Sequence, residues 1–128
     1  DQRRLQIERI VNDYKWIAKE YSSVVILASQ LNRGLETRGN QRPQLSDLAE
    51  SGSIEQVAEN VFFVYYPYKL DQKPEGKHQL FLVAAKVRYG ETGSIPMAYD
   101  GDKCKIYNNE DELYNPPLTE EEQNEIPF

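Results

Sequence analysis

Two uncharged, β-branched runs constrain the fold of this chain more than anything else in it: "SVVILAS", residues 23–29, and "NVFFVYYP", residues 60–67. A continuous apolar run of that length reads as a strand covered on both faces. Both runs therefore call for helices above and below a sheet, a layered α/β arrangement. Residues 2–20 supply one cover. Ile7, Ile10, Val11, Tyr14, Ile17 and Ala18 recur at helical spacing, with Arg3, Arg4, Glu8, Arg9, Asp13 and Lys19 mostly on the other side, so the period predicts an amphipathic helix packed on the sheet. Pro67 ends the second run. After a polar turn at 71–78, "QLFLVAAKVR" and "SIPMAYDGDKCKIY" predict two antiparallel strands joined by "YGETG".

The two runs are separated by a long polar segment, "SQLNRGLETRGNQRPQLSDLAESGSIEQ", residues 29–56. It offers hardly a residue that could anchor it in a core, so a flexible, solvated loop is expected, with Arg33, Arg38 and Arg42 free to touch a ligand or pair with acids. Ser53 and Gln56 fit a capping box and predict a short helix over 54–59. Ligands of open α/β sheets collect beyond the carboxyl ends of strands, which makes this segment a candidate working surface.

A chain of 128 residues, 39% hydrophobic and 28% charged, has the size of one domain with one core. Its formal charge of −6 is unevenly placed: residues 110–128 hold seven of the 21 acids and no Lys, Arg or His. The rest is close to neutral, so nucleic acid or nucleotide is not excluded as a partner. The expected organisation is a domain over 1–109 and an acidic, extended or disordered tail over 110–128, where "YNPPLTEEEQNEIPF" has few core formers. Cys104 and His78 are each the only residue of their type. That rules out an intramolecular disulfide, points to a reducing compartment, and leaves only carboxylates for a metal site, so no metal ligands are assigned. No membrane span or signal peptide is legible, and a cytoplasmic location is expected.

Several residues invite chemistry. Gln30 lies just past the first run, where a neutral donor and acceptor could meet a phosphate or its water. Lys86 and Arg88 stand two apart, so on a strand both point to one face. "ESGS", residues 50–53, offers backbone N–H groups at a helix start, suited to holding phosphate oxygens without regard to base sequence. Gly34 and Gly39 have the spacing of a P-loop pair, but Asn40 and Gln41 occupy the positions of its Lys and Ser/Thr, so that match is rejected.

The ordered block "SQLNR…RP…SDL.ESGSIEQ", followed by "AAKVRYGETGSIPMAYDGDKCKIYN", closely resembles the C-terminal half of the RecA-like motor domain of DnaB-type replicative helicases, over most of residues 5–108. The resemblance implies a partial RecA-like α/β domain of P-loop NTPase type, with a central mixed sheet, flanking helices and a C-terminal β-hairpin. It implies a homohexamer that couples hydrolysis of ATP, with Mg²⁺, to translocation on single-stranded DNA and duplex unwinding, with primase and a helicase loader as further partners. Gln30 would then sit near the γ-phosphate. Lys86 and Arg88 would reach into the neighbouring subunit's ATP site, Arg88 as the arginine finger. Glu50, Ser51, Gly52 and Arg33 would face DNA, although Ala49 stands where such helicases often carry an arginine. The P-loop, the catalytic glutamate and the Mg²⁺-binding aspartate would lie before residue 1. A helix beginning at residue 2 with no preceding strand gives the same expectation of a piece of a larger domain. The isolated chain is thus expected to be inactive. The alternative is a helicase-like binding or assembly module without ATPase activity.

Overall fold

The structure is a computed structural model and describes residues 2–48 and 52–124. The chain divides into two compact units, one of residues 1–65 and 82–95, the other of residues 66–81 and 96–128. Four strands, β1 (Asn60–Tyr65), β2 (Gln79–Val87), β3 (Gly93–Asp100) and β4 (Lys105–Tyr107), form one sheet in sequence order.

In the first unit α1 covers Gln2–Glu20, as its period predicts. It ends in a Schellman turn: the Ser23 N–H donates to the Ala18 carbonyl at 2.9 Å and the Ser22 N–H to that of Lys19 at 3.4 Å, with Ser22 left-handed at φ 48°. α1 packs on α2 (Gly52–Val57), and among its described residues only Val11 is buried, while Leu5, Ile10 and Trp16 stay exposed, a narrower buried stripe than its period suggests.

The larger departure is the run 23–29, which is not a strand. It pairs with no other strand, and Val24 and Ile26 are 89% and 90% exposed. A β-strand exists only where a neighbour takes up its N–H and C=O groups, and among the described residues none lies beside it. The α/β class holds, but the sheet is antiparallel rather than mixed, because its one candidate for a parallel central strand is unpaired. β1 also departs from two-sided burial. Val61 and Phe63 are buried while Phe62 and Val64 face outward, the alternation of a strand covered on one face.

The segment after residue 29 is an organised structure, contrary to the flexible loop expected. Leu31 and Leu48 form an antiparallel bridge, and the Asn32 N–H donates to the Asp47 carbonyl at 2.7 Å. Between them lie 3-10 turns at Arg33–Thr37 and Leu45–Asp47, anchored by buried Leu35 and Leu48. Gly34 and Gly39 have no positive φ. α2 starts at Gly52, two residues ahead of the predicted helix, which places buried Ser53 inside its first turn instead of at its cap.

In the second unit Pro67 opens the short helix α3 (Pro67–Asp71), where its missing N–H costs nothing. The Tyr66 ring meets those of Tyr68 and Tyr99 at 5.9 and 5.0 Å, and its hydroxyl donates to the Lys77 carbonyl at 2.8 Å. His78, expected in an exposed turn, is half-buried, with Nδ1 3.0 Å from the Tyr99 carbonyl. "SIPMAYDGDKCKIY" is two strands, not one. β3 and β4 pair with Ala98 opposite Tyr107 and Asp100 opposite Lys105, the turn closing through Cys104 at φ 51°. The 110–124 stretch, expected to be extended, carries α4 (Glu110–Tyr114) and α5 (Glu120–Asn124). Asn109 caps the first by accepting from the Glu112 N–H at 2.9 Å. Thr119 and Glu122 exchange capping bonds at the second. Acids in both first turns favour the helix dipole.

Candidate functional site

The end of β2 and the junction between α2 and β1 bring four charged side chains together in the first unit. The Lys86 Nζ donates to the carbonyls of Glu55 and Gln56 at 2.6 and 3.4 Å, and the Lys15 Nζ, arriving from α1, donates to that of Val57 at 3.2 Å. These are the last carbonyls of α2, which have no partner within the helix, so two ammonium groups satisfy them and complement the negative end of its dipole. Two residues further on, Glu59 receives the Arg88 Nη1 on both carboxylate oxygens at 2.5 and 2.6 Å and Lys15 on Oε1 at 3.0 Å. The backbone repeats the link: the Arg88 N–H donates to the Glu59 carbonyl at 3.1 Å. The Arg88 guanidinium also lies over the Tyr89 ring, 5.4 Å from its centroid.

Lys86, near the end of β2, and Arg88, the residue just after it, thus reach the same junction. Arg88 first, then Lys15, holds the Glu59 carboxyl below its ordinary range, and Glu59 in turn raises Arg88. With Arg88 and Glu59 side chains 49% and 38% exposed, water screens the pair and its contribution to stability is small. Its interest is orientation. Neither Glu59 nor Lys15 carries any pattern that would single it out in the sequence.

Gln30 lies elsewhere in the same unit, on an open cleft of about 370 Å³ whose walls include Arg3, Leu27, Asn32 and Ile54. α2 is common to both places: Ile54 lines this cleft, and the carboxyl end of the helix holds Lys86 and Lys15. Arg33 is exposed at the start of the first 3-10 turn. Gly52 is the first residue of α2, exposed, with open space where a side chain would project. Glu50 and Ser51, like Ala49, lie outside the described residues.

Arg38 does not reach out for a ligand. Its Nη1 and Nη2 donate to Asp47 Oδ1 and Oδ2 at 2.8 and 2.9 Å, its Nε to the Asn40 carbonyl at 2.6 Å, and Nη2 also to the Arg42 carbonyl at 2.7 Å. The Gln44 N–H adds a bond to Asp47 Oδ2 at 2.7 Å. Arg38 therefore holds the buried Asp47 carboxyl below its usual range despite desolvation, with Gln44 assisting. Among the described residues no group of three or more His, Cys, Asp or Glu could hold a metal ion, and no helix is long and apolar enough to cross a membrane.

With this geometry in hand, similarity to known proteins is extensive. Residues 1–108 match the family described as DnaB-like helicase C terminal domain. The chain is 39% identical over 110 residues to the replicative DNA helicase DnaC of Bacillus subtilis (strain 168), covering 86% of this chain and 24% of that protein. It is 40% identical over 108 residues to the replicative DNA helicase DnaB of Pasteurella multocida (strain Pm70), covering 84% and 23%. Among solved structures, one described as an ATPase domain superposes with a TM-score of 0.79 at 39% identity, over 84% of this chain and 38% of that one. A DnaB-like replicative helicase, described with its interactions with primase, gives 0.74 at 40% identity, over 85% and 26%. The chain spans about a quarter of the length of these curated relatives.

Proposed function

The chain belongs to the family of DnaB-like helicase C terminal domains, and from that membership we propose that it is the finger-bearing part of a ring-shaped replicative helicase motor. In this reading Arg88 and Lys86 serve the ATP site of the adjoining subunit. Gln30 senses the γ-phosphate, and residues 50–52 with Arg33 meet the backbone of single-stranded DNA. Primase and a loader are further partners. The observation that carries the reading is Arg88: a half-exposed guanidinium at a strand end, held by Glu59 at one nitrogen and backed by the Tyr89 ring. An arginine held that way suits an anion arriving from outside the chain.

ATP and Mg²⁺ belong to the proposal as ligands of the assembled motor. No glycine has positive φ among the described residues, so no glycine here opens the backbone nest that cradles phosphates. ATP supplies the phosphoryl group whose transfer drives the motor. In this reading the groups the chain brings to it are the side chains of Gln30, Lys86 and Arg88. The bare run 23–29, with the uncovered apolar face of α1, fits a strand and helix whose neighbours belong to the remainder of such a motor.

The test is ATP turnover by the chain alone and by the full-length protein. The expected result is none above background for the chain alone and robust, DNA-stimulated turnover for the full-length protein. Turnover by the 128-residue chain, lost on mutating Gln30 or Arg88, would sink the proposal.

Phosphate contacts at 50–52 should make DNA binding by the full-length protein indifferent to base sequence and weaker in salt. Ala49→Arg should tighten binding to a short single-stranded oligonucleotide and steepen its salt dependence by up to about one counterion per subunit on DNA. An unchanged slope in salt titrations would mean that residues 50–52 do not face DNA.

A further inference from the structure

The proposed function leaves two residues of the charged cluster, Glu59 and Lys15, without a role of their own. Glu59 is the only carboxylate that meets Arg88 among the described residues, and it does so in an unusual way. Both of its oxygens converge on a single nitrogen, Nη1, at 2.5 and 2.6 Å. The side chain of Arg88 makes no other hydrogen bond among the described residues, so Nη2 and Nε keep their donors. Glu59 is itself fixed from two directions: its carbonyl accepts the Arg88 backbone N–H at 3.1 Å, and Oε1 accepts Lys15 at 3.0 Å. Lys15 is anchored in turn on the Val57 carbonyl at 3.2 Å.

We infer that Glu59 is the positioning residue of Arg88, gripping the guanidinium by one nitrogen so that the remaining donors are presented to an anionic group. The inference rests on the reading of Arg88 as a finger acting on a neighbour's ATP. Two features separate positioning from a restraint that keeps the arginine away from its target. A restraint would engage two donors of the guanidinium at once, as Asp47 does with Nη1 and Nη2 of Arg38, whereas here Glu59 takes Nη1 alone and the Nε–Nη2 edge stays open among the described residues. A restraint would also be desolvated so as to hold firmly, whereas this pair is 49% and 38% exposed and yields readily to a more highly charged partner. The Tyr89 ring under the guanidinium restricts its remaining freedom. Glu59 touches no reacting atom in this scheme and acts only through Arg88.

The experiment measures ATPase kinetics of the full-length protein carrying Glu59→Gln, which removes the charge and keeps the size. Since misplacing a catalytic group by an ångström costs up to about 100-fold, kcat is expected to fall about 10- to 100-fold with KM for ATP nearly unchanged, and Glu59→Asp is expected to recover part of the loss. In the Arg88→Ala background Glu59→Gln is expected to cause no further loss, because a positioning residue has nothing left to position. In rings mixing Glu59→Gln subunits with subunits lacking the P-loop lysine, the Glu59→Gln subunit's own ATP site, served by its neighbour's intact Arg88, is expected to turn over normally. A structural defect would damage that site too. Unchanged kcat in Glu59→Gln, or an added loss in the double variant, overturns the inference while leaving the finger in place. Full activity of Arg88→Ala alone overturns the finger reading itself.

Discussion

Arg88→Ala in the full-length protein should nearly abolish ATP hydrolysis while leaving nucleotide binding largely intact. The asymmetry follows from where the charge matters: a finger offsets charge that grows on the phosphoryl group in the transition state, and such groups contribute roughly 10³ to 10⁵ in rate. The side chain is half exposed and its pairing with Glu59 is screened, so the substitution should leave the fold and its thermal midpoint close to unchanged. Binding of a fluorescent ATP analogue together with steady-state turnover separates the two effects. Subunits carrying Arg88→Ala, mixed with subunits lacking the P-loop lysine, should regain part of the activity at those interfaces where an intact pocket meets an intact finger. Failure of every mixing ratio to restore turnover would count against action between subunits. Lys86 is expected to behave differently from Arg88. Its ammonium is engaged by the α2 carbonyls, so Lys86→Met should loosen the end of α2 in addition to any effect on rate.

Asp47→Ala should release the polar segment 31–48. Asp47 is 6% exposed and ties together Arg38, the Gln44 N–H and, through its carbonyl, the Asn32 N–H. Removing a buried acceptor that receives charged hydrogen bonds costs roughly 1.5–3 kcal/mol, and the partial exposure of Arg38 places the expected loss near the lower half of that range. Amide exchange at Asn32, Gln44 and Leu48 should then accelerate about 10- to 30-fold, since about 1.4 kcal/mol is a factor of ten in the opening equilibrium. The same carboxylate sets a pH dependence. Its folded pKa lies below the ordinary 3.8, so its contribution is fully present above that value and disappears as pH falls through the lower folded one. Protection of these amides should therefore hold from neutral pH down to about 4 and fail below it, whereas Asp47→Ala should show no such step. A step of equal size in the variant would assign the acid sensitivity to another group.

The sequence carried some of this and concealed the rest, for definable reasons. α1 was legible because its period repeats over about five turns. The family was legible because the 29–56 block keeps many residues in order, and the matches to replicative helicases bear that out. The Arg38–Asp47 tie was invisible: nine residues of irregular chain separate the partners, and no periodic rule connects them. Glu59 was hidden because its partners come from α1 and β2, far apart in sequence. The missing strand at 23–29 is a different lesson. Its composition is that of a strand, but composition states only what a segment would do if given neighbours. The helix at 120–124 could have been read, since Thr119 and Glu122 form a capping pair at the usual spacing. The paired prolines before it drew the reading toward an extended chain.

That unpaired run also governs how the polypeptide behaves in a tube. "SVVILA" is six residues without charge or proline and rich in β-branched side chains, the composition of a segment that stacks in register with copies of itself. Apart from the Ser23 N–H, which caps α1, its backbone groups enter no backbone hydrogen bond among the described residues, and no lysine or proline interrupts it as a gatekeeper would. Preparations of the 128-residue polypeptide should become turbid and bind amyloid dyes at rising concentration, with 23–28 as the nucleating stretch.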